Sequence, residues 1–199
     1  MPPELAAGAG RWAEHPYRLL PRVARRSIEY GVRSGRPLPV DPREFPPELR
    51  EPRASFVTLH EDGVLRGCIG ALEPRLPLVV DVAENAFQAA FEDPRFPPVR
   101  AAELPHLEIS VSVLSPLEPV PVESEEDLLR VVRPGVDGLL LVAGPARGTF
   151  LPDVWESLPD PRNFVRELKR KAGLPPAGWP PGARVYRYTT EVIKEEPPA

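Results

Sequence analysis

Lysine is nearly missing from this 199-residue chain: only Lys169, Lys171 and Lys194 stand among its 25 basic residues, and the rest are arginine. Cysteine is scarcer still. Cys68 is alone, so no intrachain disulfide can form and the core must hold by packing, which fits a reducing, cytoplasmic setting. Three scattered histidines, His15, His60 and His106, and one cysteine offer no zinc-ligand spacing, and no carboxylate set reads as a calcium loop. No apolar stretch approaches the roughly 20 residues that span a bilayer, and the start of the chain lacks a basic region followed by an apolar run. Basic excess is also lacking. A net charge of -4 speaks against the counterion-releasing surface that non-specific nucleic-acid binding needs.

What the chain has in abundance is proline, 30 residues spaced as punctuation between apolar segments. With arginine in place of lysine, this suits a stiffly looped globule and is compatible with a heat-stable protein. One domain is expected over residues 10–196, with frayed tails at 1–9 and 197–199.

Periodicity predicts helices over 15–34, 76–92, 124–132 and 162–172, the last capped by Asp160. In the second of these, Val79, Val82, Ala83, Ala86, Phe87 and Ala90 form an apolar stripe, with Asp81, Glu84, Asn85 and Gln88 expected to face away. Residues 37–52 read as an extended connector too rich in proline for regular structure. Strands are expected over 55–60, 64–72, 107–114, 139–143 and 185–192, with 149–151 returning beside the fourth. The fold class is therefore α+β, a mainly antiparallel sheet with packed helices.

Chemistry concentrates in Val64 to Gly70, V-L-R-G-C-I-G. Two glycines let a ligand or another backbone come close, and alternation places Arg66 beside Cys68 on one face. A cation beside a thiol favours thiolate, so Cys68 reads as a nucleophile or as a small apolar wall. A two-residue Asp62-Gly63 turn puts Val57 opposite Cys68. A three-residue turn with a bulge at Gly63 puts Phe56 there and brings His60 and Thr58 to the cysteine's face. Downstream, Asp93-Pro94-Arg95-Phe96-Pro97-Pro98 is a stiff loop displaying an acid, an arginine and an aromatic ring. Arg66 and Arg95 suit bidentate recognition of a carboxylate or phosphate, or else structural pairing with Asp93 or Glu108.

Taken in order, Phe56-Val57-Thr58, Leu65-Arg66-Gly67-Cys68-Ile69-Gly70, Asp93 to Pro98, Glu103-Leu104-Pro105, Ser110-Val111-Ser112, Leu151-Pro152-Asp153-Val154 and Lys171-Ala172-Gly173-Leu174 resemble the AMMECR domain family. The resemblance implies a larger and a smaller subdomain with a cleft between them, and a place in the AmmeMemoRadiSam system beside a Memo-type protein and a radical-SAM enzyme. It supplies no established reaction and no cofactor. The expected role is small-molecule processing or ligand binding, with Cys68 as the catalytic candidate and Arg66, Gly67, Gly70, Asp93, Arg95 and Phe96 around the ligand. A non-catalytic adaptor, docking partner proteins or RNA through the basic run at 166–171, is the alternative.

Overall fold

The computed structural model describes residues 15–196, so the tails expected at 1–9 and 197–199 lie outside the described residues. The chain forms two compact units. One takes the chain as far as Leu114 and resumes at Glu191, and the other is Ser115–Thr190.

In the first unit a 3-10 turn, Pro16–Leu19, leads into helix α1, Leu20–Ser34. Pro21 falls in the first turn of α1, where a missing N–H costs nothing. Gly35 ends α1 in the left-handed conformation with φ 66°. The stretch 37–52 is not a surface connector: it carries a 3-10 turn at Pro42–Glu44 and a short helix α2, Pro47–Arg50. Phe45 and Leu49 sink into the core, Leu49 completely. Proline at the first helical positions permits a single turn, and burial of those two side chains holds it.

Strands β1 (Ser55–Glu61) and β2 (Val64–Gly70) make the expected hairpin. Helix α3 is Leu78–Phe91, β3 is Leu107–Leu114, and β8 is Thr190–Lys194. Their sheet has the order β2-β1-β3-β8, with β1 antiparallel to both of its neighbours. Val57, Leu59, Ile109, Val111 and Val113 point from it into a core shared with α1 and α3. Helix α3 is packed by α1 on one side and by β1 and β2 on another. Its polar residues are therefore not all turned outward. Asp81 and Asn85 are buried, bound to Ser55 at the start of β1: the Ser55 hydroxyl donates to Asp81 Oδ2 at 2.5 Å, and Asn85 Nδ2 donates to the same oxygen at 2.9 Å. Phe87 and Phe91 stack obliquely at 4.9 Å over Gly31, where a Cβ would come within 2.5 Å of the Phe91 ring.

The second unit contains β4 (Glu118–Val120), α4 (Glu125–Val131), β5 (Gly138–Ala143), β6 (Ala146–Phe150), α5 (Val154–Ser157), α6 (Pro161–Lys171) and β7 (Arg184–Tyr188). Its antiparallel sheet has the order β4-β7-β5-β6. Ser124 and Asp160 cap α4 and α6 as expected, accepting from the N–H groups of Asp127 and Asn163. The run 185–192 is two strands, not one. It breaks at Thr189, and its halves belong to different sheets. Inside this unit Trp155 stacks on Phe164 with centroids 3.7 Å apart, and its indole N–H donates to the Asp137 carbonyl at 2.7 Å.

Candidate functional site

Asp62 and Gly63 both adopt positive φ, 52° and 76°, which is the geometry of a two-residue hairpin turn, and Glu61 pairs with Val64. Neither register drawn from the sequence survives beyond it. His60 pairs with Leu65, but Leu59 pairs with Gly67, so Arg66 is an extra residue without a partner on β1. This bulge shifts the rest of the strand by one, and Thr58 stands opposite Cys68 where Val57 or Phe56 was expected. His60 lies opposite Leu65, so the three-residue-turn register does not form, although His60 shares with Thr58 the half-exposed face of β1. The bulge also breaks the alternation that made Arg66 and Cys68 same-face neighbours: the Arg66 side chain runs to Glu103, and Cys68 Sγ lies 3.3 Å from Thr58 Oγ1.

Cys68 is half-buried. Its outward backbone groups meet the Asp93 loop: its N–H donates to Asp93 Oδ2 at 3.0 Å, and its carbonyl accepts from Arg95 Nη2 at 3.3 Å. In an antiparallel pair, residues whose amides point away from each other have the closer side chains, which accounts for the Thr58–Cys68 contact. Asp93 is buried and receives three hydrogen bonds from Arg95, from the backbone N–H at 3.1 Å, from Nε at 2.9 Å and from Nη2 at 2.7 Å. The Arg95 guanidinium, followed by the Cys68 N–H, drives the Asp93 carboxyl far below the usual carboxylate range. Reciprocally, Asp93 raises Arg95, with a smaller contribution from the sulfur of Cys68. The Arg95 side chain stays 54 % exposed and stands 5.4 Å from the centre of the half-buried Phe96 ring.

Arg66 is buried. Its Nε donates to Glu103 Oε1 at 2.7 Å, and its Nη1 is buried with no hydrogen-bond partner among the described residues. Glu103 is in turn fixed by the Arg100 N–H at 2.8 Å, and the Arg66 guanidinium holds its pKa below the ordinary carboxylate value. The glycines serve the fold in a way the residues alone did not show. A Cβ on Gly67 would sit 2.2 Å from the Ala89 carbonyl of α3, and one on Gly70 would sit 2.3 Å from the Ser55 carbonyl. Backbone of this same chain therefore occupies the approach at both positions.

The expected residues thus gather in two sets. Cys68, Asp93, Arg95 and Phe96 meet at the outer edge of β2, while Arg66 turns to Glu103, and not to the Asp93 or Glu108 considered from sequence. Thr58 was expected on the cysteine's face in one of the two registers drawn from the sequence and stands there through a different one, while Glu103 is the partner sequence reasoning missed, lying 37 residues from Arg66 with no spacing signal between them. Around Cys68, Phe56, Thr58, His60, Ser110 and Ser112 form a half-exposed face of the sheet, with Glu108 exposed at its end. Among the described residues no group of three His, Cys, Asp or Glu side chains could hold a metal ion, and no helix is long and apolar enough to cross a membrane. The arrangement sets the Cys68 thiol against the Thr58 hydroxyl and the Arg95 guanidinium on the Cys68 carbonyl.

The AMMECR1 family profile matches residues 21–193. Proteins of Methanothermobacter thermautotrophicus and Thermotoga maritima are 43 % and 42 % identical over 185 and 184 residues, covering 90 % and 91 % of this chain and 94 % and 98 % of their own lengths. The crystal structure of the uncharacterized protein PH0010 from Pyrococcus horikoshii superposes with a TM-score of 0.81 at 38 % identity, over 91 % of this chain and 92 % of that one. With a family profile spanning both units and relatives matched along nearly their full length, this chain belongs to the AMMECR1 family.

Proposed function

We propose that the chain binds a small anionic molecule over the Thr58–Cys68–Arg95 face and holds or processes it beside the Memo-type and radical-SAM partners that the sequence resemblance implies. One observation carries the reading: Asp93 and the Cys68 carbonyl orient the Arg95 guanidinium, yet leave it half exposed next to a half-buried thiol. An anion docked on Arg95 would bring its neighbouring atoms to Sγ and to the Thr58 hydroxyl. An ionised Cys68 beside this cation is the nucleophile of the reading, and a thiol that stays protonated is its wall.

The adaptor alternative draws less support from the basic helix. On α6, Arg162 pairs with Glu126, Arg166 and Arg170 pair with Glu167, and Lys169 is buried against Glu125 and the Gly178 carbonyl. Charges met by acids of the same unit are poor phosphate contacts.

The test is alkylation of native Cys68 with iodoacetate and iodoacetamide, which differ in charge. Labelling of the folded protein with a preference for iodoacetate, lost in Arg95→Gln, is the expected result. A cysteine that reacts only after denaturation, or equal rates that Arg95→Gln leaves unchanged, overturns the reading.

A further inference from the structure

We infer that the buried Arg66–Glu103 ion pair is a register lock, and that it turns Cys68 onto the open face of the sheet. The two-residue turn by itself dictates an unbulged ladder in which Val57 faces Cys68. In that ladder Cys68 shares the face of Val57, which is fully buried in the core, because a one-residue slip exchanges the faces of every side chain in the strand. The extra residue that prevents this is Arg66, and its side chain is the one that leaves the hairpin for a fixed external anchor.

The anchor is built independently of β2. Glu103 Oε2 accepts from the Arg100 N–H, which places the carboxylate in the 3-10 turn Ala101–His106. That turn is tied to α1 by Arg25, whose Nη1 donates to the Leu104 carbonyl at 2.9 Å and whose Nη2 donates to the Leu107 carbonyl at 2.7 Å. Arg25 also grips the Glu195 carboxylate with Nε and Nη2, at 2.5 and 2.7 Å. Charge-assisted bonds thus tie Glu195 to Arg25 and Arg25 to the backbone of the turn, and the Glu103 side chain of that same turn holds Arg66 at the bulge. Glu103 is a positioning residue: it acts on the thiol only through the place of Arg66 in the ladder. Gly67 is the competing cause, since only glycine fits beneath the Ala89 carbonyl, and the experiment separates the two.

Two single substitutions in the full-length chain, Thr58→Cys and Val57→Cys, each give native Cys68 a disulfide partner that reports one register. Cross-strand residues with close Cα atoms fall within disulfide range. Under mild copper-phenanthroline oxidation, Thr58→Cys is expected to close an intramolecular disulfide and Val57→Cys is not. Adding Glu103→Ala should change the ratio of the two cross-linking rates by at least about tenfold toward Val57→Cys, the scale of one lost charge-assisted hydrogen bond. Glu103→Gln, which keeps the side-chain shape, is the second variant where Glu103→Ala does not fold, as judged by circular dichroism. A ratio unchanged in a folded Glu103 variant overturns the lock and leaves Gly67 as the cause, and so does closure of Val57→Cys in the otherwise native chain. The inference rests on the proposed site only for its purpose, the presentation of Cys68. Cross-linking uses no ligand, so a lock that responds while the iodoacetate preference is absent overturns the ligand reading alone.

Discussion

Asp81 is an acid buried between α3 and β1, held by a hydroxyl and an amide, and its removal from water pushes its pKa from 3.8 up to about 6. The unfolded chain gives up that proton near pH 4. Below this pH both states are protonated and the residue costs nothing. As pH rises from about 4 to about 6, the unfolded chain ionises first, so stability falls, and above pH 6 the loss is constant. A rise from 3.8 to about 6 corresponds to about 3 kcal/mol. Asp93, Glu103 and Asp127 have lowered values and contribute in the opposite sense, losing stability as pH falls through their own range. Asp81→Asn isolates one group from the rest, because the difference between variant and native chain cancels the other titrations. That difference should drift in favour of the variant by about 2 to 3 kcal/mol between pH 4 and pH 7, whatever its absolute value. Denaturant unfolding read by hydrogen exchange in β1 and α3 is the suitable assay, since among the described residues the tryptophans, Trp155 and Trp179, lie in the other unit. A difference constant to within about 0.5 kcal/mol across this range would refute a native Asp81 that retains its proton.

Phe87→Ala removes a ring packed on Phe91 and Gly31 and should cost about 3 to 5 kcal/mol, read as a lowered midpoint in denaturant. A loss below about 1 kcal/mol would mean that α1 and α3 do not pack through it. Gly67→Ala forces its new methyl against the Ala89 carbonyl and should destabilise the first unit by about 1 to 3 kcal/mol. Full stability of that variant by thermal melting would contradict the close approach of β2 to α3.

The helices and most of the strands were legible because each carries an apolar period that matches its burial, as in Leu107–Leu114. The departures share a cause: a long-range partner overrode a local pattern. Asp81 and Asn85 have the polarity of an outer helix face, yet Ser55, about 30 residues away, draws them inside. The run 185–192 reads as one strand because its residue types are continuous, whereas pairing with β5 ends at Tyr188 and β8 enters the sheet of β3. Of the candidate site, the residue types at β2 and the 93–96 loop were legible, and their meeting is what the structure adds. The register was not legible, since no hairpin rule places a bulge at Arg66 or sees Glu103, the distant partner its side chain meets.

The bonds from Asp93 and Arg95 to the backbone of Cys68 bear on more than ligand chemistry. β2 is the outermost strand of its sheet, and an uncovered edge of this kind recruits strands from other molecules. At Cys68 the carboxylate takes the place of a neighbouring strand's carbonyl and the guanidinium that of its amide, so one rung of a missing fifth strand is supplied by two side chains. The same two residues that shape the candidate site thereby guard the molecule against edge-to-edge aggregation, and a chain evolving a new specificity at Arg95 would have to preserve solubility along with it.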